Sequence, residues 1–168
     1  QQTGGIGRKL QKSSSSGSSD DDSGGGGSGP TSGNCRVDVR ATKITGLYGL
    51  PVYHLFIITH DSSGSEHYYR GGPSTRSGSS YGPIVTTHGN YLPGTIDWDP
   101  SAPSVTVEAS VNCATTHSCL VAELSRIDGT ATTYVPTGPN SNSVVRTCLR
   151  NCSLTENKPV MIAPGWGQ

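Results

Sequence analysis

Three sets of side chains in this sequence have types and spacings suited to chemistry: its histidines, its cysteines, and a hydroxyl-rich segment ahead of a helix. The histidines are His54, His60, His67, His88 and His117. His54 opens an apolar run, residues 53–59 (YHLFIIT), His60 follows it, and His67 lies on the next segment. With a turn at residues 61–65, His60 is expected close to the turn, facing His67 across a hairpin. Two such imidazoles can share a metal with a Cys or Asp. No tight ligand spacing accompanies them, so ordinary surface histidines are expected.

The cysteines offer a second cluster. Cys113-x3-His117-x-Cys119 places three potential ligands close together, and Cys148-x3-Cys152 adds a pair. These spacings depart from the Cys-x2-Cys knuckle of zinc sites, so a disulfide is favoured over zinc, with Cys113 and Cys119 closing a short loop. Cys148 and Cys152 on one intact helix would have poorly aimed Cβ vectors for a bridge. Five cysteines is an odd number, so at least one thiol is free or pairs outside the chain. No metal and no cofactor is expected.

The third segment is Tyr134-Val-Pro-Thr-Gly-Pro-Asn-Ser-Asn-Ser-Val-Val. A Gly-Pro turn leads into small polar residues and then a helix. A hydroxyl at a helix N-terminus gains from the positive end of the dipole and from unpaired N–H groups. Given a neighbouring imidazole base, that is where a nucleophile is activated. The plainer reading is that Asn140, Ser141, Asn142 and Ser143 cap the helix.

Periodicity supplies the elements that would position these groups. Cys35, Val37, Val39 and Ala41 alternate with Arg36, Asp38 and Arg40, which predicts a half-buried strand. The run at 53–59 is a central strand, and residues 66–70 (EHYYR) return as its hairpin partner. Residues 71–103 are rich in glycine and proline and read as a long irregular stretch with a short strand at 84–87, anchored by Tyr91 and Trp98. Val105, Val107 and Ala109 mark a further strand. Leu120, Val121, Leu124 and Ile127 then follow helical spacing up to Gly129, as do Val144, Val145, Cys148, Leu149 and Cys152 with Ser141, Asn142 or Ser143 as the cap. Residues 159–163 read as a last short strand. Strands first and helices later predict an α+β fold, with a small antiparallel sheet and two helices in the C-terminal half.

Charge and composition narrow the partners. Twelve basic residues balance twelve acidic ones, so no nucleic acid and no anionic membrane is expected as a partner. No apolar run approaches the roughly 18 residues of a membrane span. Residues 13–33 are Ser, Gly and Asp apart from Pro30 and Thr31. Such a segment cannot offset an ordering cost of roughly 1–2 kcal/mol per residue. Residues 1–33 are therefore expected to be a flexible arm and residues 34–168 a single α+β domain. Arg8, Lys9 and Lys12 ahead of Asp20, Asp21 and Asp22 read as a solvated tail. The sole methionine is Met161 and residue 1 is Gln, which suggests cleavage from something longer. Cysteine usage with little Lys or Glu suits a secreted or surface-exposed protein.

The sequence His54-Leu-Phe-Ile-Ile, the return at 65–70, and Gly138-Pro-Asn-Ser-Asn-Ser-Val-Val resemble the circularly permuted branch of the papain-like hydrolases. That branch includes lecithin–retinol acyltransferase-like and cell-wall amidase-like proteins. The Gly-Pro-Asn-Ser-Asn signature is also similar to one in bacterial and phage proteins. The resemblance spans roughly residues 36–163. It implies a catalytic His at the opening of a central strand, which is His54, and a nucleophile at the start of a later helix. The family's cysteine is replaced there, by Ser141 or Ser143. A serine has a far higher pKa than a cysteine and needs a well-placed base. The expectation is therefore a catalytically weak or inactive papain-like domain, exported or carried on an extracellular assembly. Two alternatives stand beside it. One is a structural subunit of a filament, surface layer or virion, self-associating through its arm. The other is an active Ser/His amidase or acyltransferase using His54 with Ser141 or Ser143. A weaker option is a carbohydrate-binding module stacking sugars on Trp98, Tyr91 and Trp166.

Overall fold

The computed structural model describes residues 33–44, 50–75 and 80–168. The expected arm, residues 1–33 with its basic and acidic clusters, lies outside the described residues except for Gly33.

Five antiparallel strands form one sheet: β1 (Asn34–Ile44), β2 (Val52–Asp61), β3 (Glu66–Pro73), β4 (Ile84–Asn90) and β5 (Ser104–Asn112), in the order β4-β3-β2-β1-β5. Two helices follow, α1 (Cys113–Gly129) and α2 (Ser141–Asn151). The fold is α+β with both helices in the C-terminal half.

The two faces of the sheet have different covers. Val37, Val39, Ala41, Leu55, Ile57 and Tyr69 point toward the helices and meet Leu120, Leu124, Ile127, Val144, Val145, Cys148 and Leu149. Each Val, Leu or Ile among them contributes roughly 1.5–3 kcal/mol when fully buried. On the other face Phe56 and Ile58 pack with Tyr91, against Tyr68 and Trp98. The loop after β4 thus covers the second face, which is why β2 is apolar on both sides. Tyr91 and Trp98 are its anchors, with ring centres 4.7 Å apart. Helix α2 approaches β3 closely at Gly71, where an added Cβ would lie 2.7 Å from Val144 Cγ2. Only glycine admits the helix there.

Five expectations are corrected. Cys113 and Cys119 do not form a loop; the disulfides are Cys35–Cys113 and Cys119–Cys152, and Cys148 is a buried free thiol. Both Cys113 and Cys119 lie on α1, where six residues advance about 9 Å and leave the side chains on different faces. Helix α1 begins at Cys113 rather than near Leu120, because the Asn112 side chain accepts from Thr115 N and caps it. His60 does not face His67: the register pairs His60 with Glu66 and Thr59 with His67, placing the two imidazoles on opposite faces. The segment at 159–163 is not a strand of its own; Ile162 makes one parallel bridge to Val52. Strand β4 also runs to Asn90, three residues past its expected end.

Two disulfides fit an oxidising compartment. Among the described residues, no helix is long and apolar enough to cross a membrane.

Candidate functional site

The strand opening at His54 and the start of α2 are joined directly. Strand β3 pairs with β2 only from Ile57 onward, leaving edge groups of residues 53–55 without a strand partner. The chain supplies substitutes. Tyr53 N donates to Ile162 O (3.0 Å), and the Asn142 amide takes the next two positions. Its Nδ2 donates to Tyr53 O (3.0 Å) and Pro164 O (2.9 Å), while its Oδ1 accepts from Leu55 N (2.7 Å). One side chain therefore holds the backbone on both sides of His54.

The rest of the helix start is occupied by capping. Asn140 Oδ1 accepts from Asn142 N and Ser143 N. Ser143 Oγ accepts from Asn140 N (2.7 Å) and donates to Asn140 O (2.8 Å), which completes a capping box. Asn140 Nδ2 donates to Pro136 O and Pro164 O, tying the preceding turn to the C-terminal segment. Gly165, at φ +81°, passes so close that an added Cβ would lie 2.5 Å from the Asn140 side chain and Gly138 O. Ser141 is buried.

The His54 ring lies on the other face of the sheet, with Phe56, and is only 7% exposed. Its Nε2 is 2.9 Å from Asp97 Oδ2, and Arg70 Nε is 2.6 Å from the same oxygen. Arg70 Nε also lies 3.4 Å from His54 Nε2. The shorter contact to the carboxylate assigns the Nε2 proton as the donor to Asp97. Burial pushes the Asp97 carboxyl up, but the His54 hydrogen bond and the His54 and Arg70 charges outweigh it and hold it below the usual carboxylate range. Asp97 has φ +63°, a left-handed conformation that aspartate tolerates better than most residues. Tyr91 fixes that loop: its hydroxyl donates to Asp97 O (3.1 Å) and accepts from Asp99 N (3.0 Å). No hydrogen bond joins His54 to Ser141 or Ser143.

A second cluster lies under α1. Strands β3 and β4 pair Tyr69 with His88 and His67 with Asn90, so His67, Tyr69 and His88 neighbour one another on the helix face. One turn into α1, His117 comes down onto them. His67 Nε2 is 3.1 Å from His88 Nδ1, and the Tyr69 hydroxyl is 2.8 Å from His117 Nδ1. His67 is 3% exposed, and its Nδ1 is buried without a well-formed hydrogen bond. Burial, then the nearby His117 and His88, bring His67 down to about 4. Burial and His88 also lower His117. Burial raises the Tyr69 hydroxyl, so it stays a phenol. Among the described residues, no group of three or more His, Cys, Asp or Glu could hold a metal ion.

The aromatic residues suggested as sugar platforms serve inside the fold. Tyr91 is buried between Phe56 and Trp98, and Trp166 receives the Arg146 guanidinium over its ring. Asp97, Arg70 and the grouping of Tyr69 with three histidines were missed from sequence. For Tyr69 a signal was present: it follows His67 by two residues on one strand and must share its face.

No family model matches the chain, and no curated protein or solved structure matches it either.

Proposed function

We propose that the chain is a papain-like domain, exported or carried on an extracellular assembly, whose strand–helix junction is structural rather than catalytic. The observation that carries this reading is the Asn142 clamp on Tyr53 O and Leu55 N. It supports kinship, because the strand opened by His54 runs beside a helix start of the kind that bears the nucleophile in papain-like enzymes. It speaks against the reaction, because the side chains of Asn140, Asn142 and Ser143 there bond to the protein itself. Ser143 is spent in the capping box, and the His54 imidazole turns to Asp97 and Arg70 on the opposite face. An oxyanion needs free N–H donors, and Asn140 already holds those of residues 142 and 143. The two disulfides support export.

The test is a serine-reactive fluorophosphonate probe together with a panel of activated esters and amides. We expect no labelling and no turnover above that of the His54→Ala variant. Labelling of Ser141 or Ser143 that disappears in His54→Ala would overturn the proposal in favour of an acyl-transferring enzyme. Light scattering on the full chain then separates a monomeric domain from a self-assembling subunit.

A further inference from the structure

The structure assigns to His67, His88 and His117 the role of an acid-sensitive clasp, which holds the end of β4 against α1 while the rings are neutral and parts them when the rings charge. This is independent of the proposed function, since the clasp uses no residue of the α2 start and works in an enzyme or a structural subunit alike.

The three imidazoles come from β3, β4 and α1 and are packed on one another. Ring centres are 5.4 Å apart for His67 and His88, 5.0 Å for His67 and His117, and 5.8 Å for His88 and His117. Charges on any two of them would repel at close range in a partly dry site. Their hydrogen bonds also depend on neutral rings. His67 Nε2 and His88 Nδ1 are 3.1 Å apart, and one proton serves both nitrogens. Charging both rings sets two N–H groups face to face, and the bond is lost. Tyr69 stays a phenol and donates to the lone pair of His117 Nδ1 (2.8 Å). A proton on that nitrogen turns the hydroxyl away. His67 Nδ1 is buried without a well-formed hydrogen bond, and Asn90 offsets less than burial costs the charged ring.

The covalent ties decide what moves. Cys35–Cys113 fastens α1 to β1, and Cys119–Cys152 fastens it to the end of α2; neither bond reaches β3 or β4. Strand β4 lies at the sheet edge, paired with β3. Near its start, Thr86 N and Oγ1 each donate to the Asp128 carboxylate at 2.7 Å, which pins it to the last turn of α1. Toward its end, His88 meets His67 and His117. Opening there swings residues 88–90 away about Thr86 and carries with them the loop of Tyr91 and Trp98. That loop covers Phe56 and Ile58, so acid would uncover an apolar face of the sheet.

Other titratable groups on the packed elements have partners of their own. On β2, Thr59 lies opposite His67, and Asp61 accepts from Ser63 and Ser65 in the turn. Glu66 and Arg70 of β3 alternate onto the opposite face and pair with Arg40 and Asp97. Glu123 of α1 bonds Arg126 and Asn151, Glu108 of β5 bonds Thr155, and Arg146 and Arg150 of α2 turn to Glu156. The Cys148 thiol stays protonated. The charges that act on His67 are those of His117 and His88.

Closed, His67 takes a proton only at about pH 4, whereas an open imidazole does so at about 6.5. The open population therefore grows as pH falls between those values, by about 30-fold from pH 7.5 to pH 5 through His67 alone. The experiment is hydrogen exchange read by mass spectrometry on the disulfide-intact full chain at pH 7.5, 6 and 5, corrected for intrinsic exchange rates. Amides of residues 84–90 should lose about 30-fold protection, reversibly, while those of residues 35–41 keep theirs. His67→Gln should flatten the dependence, and His60→Gln, on the opposite face, should behave as the parent does. An imidazole NMR titration of the parent gives a readout that needs no variant, with His67 expected to titrate near pH 4. Unchanged protection of residues 84–90, an equal loss in residues 35–41, a dependence that persists in folded His67→Gln, or a His67 midpoint near 6.5 would each overturn the proposal.

Discussion

Asn142 Oδ1 and the Leu55 peptide nitrogen lie 2.7 Å apart, so a helix side chain stands where a strand would have paired. Asn142→Ala would leave Leu55 N–H and Tyr53 C=O buried and unpaired, at about 1–3 kcal/mol each. We expect a loss of about 2–5 kcal/mol in urea unfolding, seen as a lower midpoint with an unchanged slope. Asn142→Asp keeps the acceptor but loses both donated bonds and buries a charge, so it should be no more stable than the alanine variant. A variant at parental stability would show that the clamp contributes nothing.

Asp97 gives the acid limb of stability. Its folded carboxyl titrates below the unfolded value of about 3.9. The stabilisation is therefore complete above that value and is lost as pH falls through the lower, folded pKa. A Tm series from pH 2 to 6 should show a fall that Asp97→Asn flattens, with the variant less stable than the parent at pH 6. An unchanged acid limb in the variant would assign the fall to other carboxylates.

Cys148 should be chemically silent in the folded chain. Its thiol is buried, and burial first, then Glu123, pushes it up to about 12. At pH 8 a thiol reagent should leave it unmodified in buffer and label one thiol per chain in urea. Peptide mapping without reductant should recover the Cys35–Cys113 and Cys119–Cys152 pairs. Rapid native labelling would contradict its placement against the sheet.

Gly71→Ala should lift α2 from β3. The new methyl would meet Val144 Cγ2 at 2.7 Å, an overpacking that costs typically about 1–3 kcal/mol. Combining it with Val144→Ala should recover part of the loss. The coupling between the two changes, measured by a double-mutant cycle, is the quantity that tests the contact.

The strands were legible because burial on a sheet has period two. Cys35, Val37, Val39 and Ala41 announce β1, and all four are buried. The first half of α1 was not legible, since Cys-Ala-Thr-Thr-His-Ser-Cys lacks a long apolar stripe; its signal was the cap, Asn112 three residues before Thr115. The end of β4 was hidden for a similar reason. Thr86, Thr87, His88, Gly89 and Asn90 carry little β signal of their own and are held by the ladder to β3. The cysteine pairing was open in principle, because connectivity follows from which elements pack together. At the site, His54 and the residues 140–143 could be singled out by type. Asp97 could not, since a loop fixed by Tyr91 brings it 43 positions back to His54. Nor could the meeting of His88 and His117 be read before α1 was laid across β3 and β4.

The Cys35–Cys113 bond has a mechanical consequence. Cys35 is the second residue of β1, a strand with neighbours on both sides, and Gly33 O also accepts from Cys113 N. Tension arriving through the residues before Gly33 would meet a covalent stop almost at once. The load passes into α1 and, through Cys119–Cys152, into the end of α2, so the sheet is not peeled open one hydrogen bond at a time. A chain tethered by its N-terminal side would thus pull on its helices and leave β1 in register.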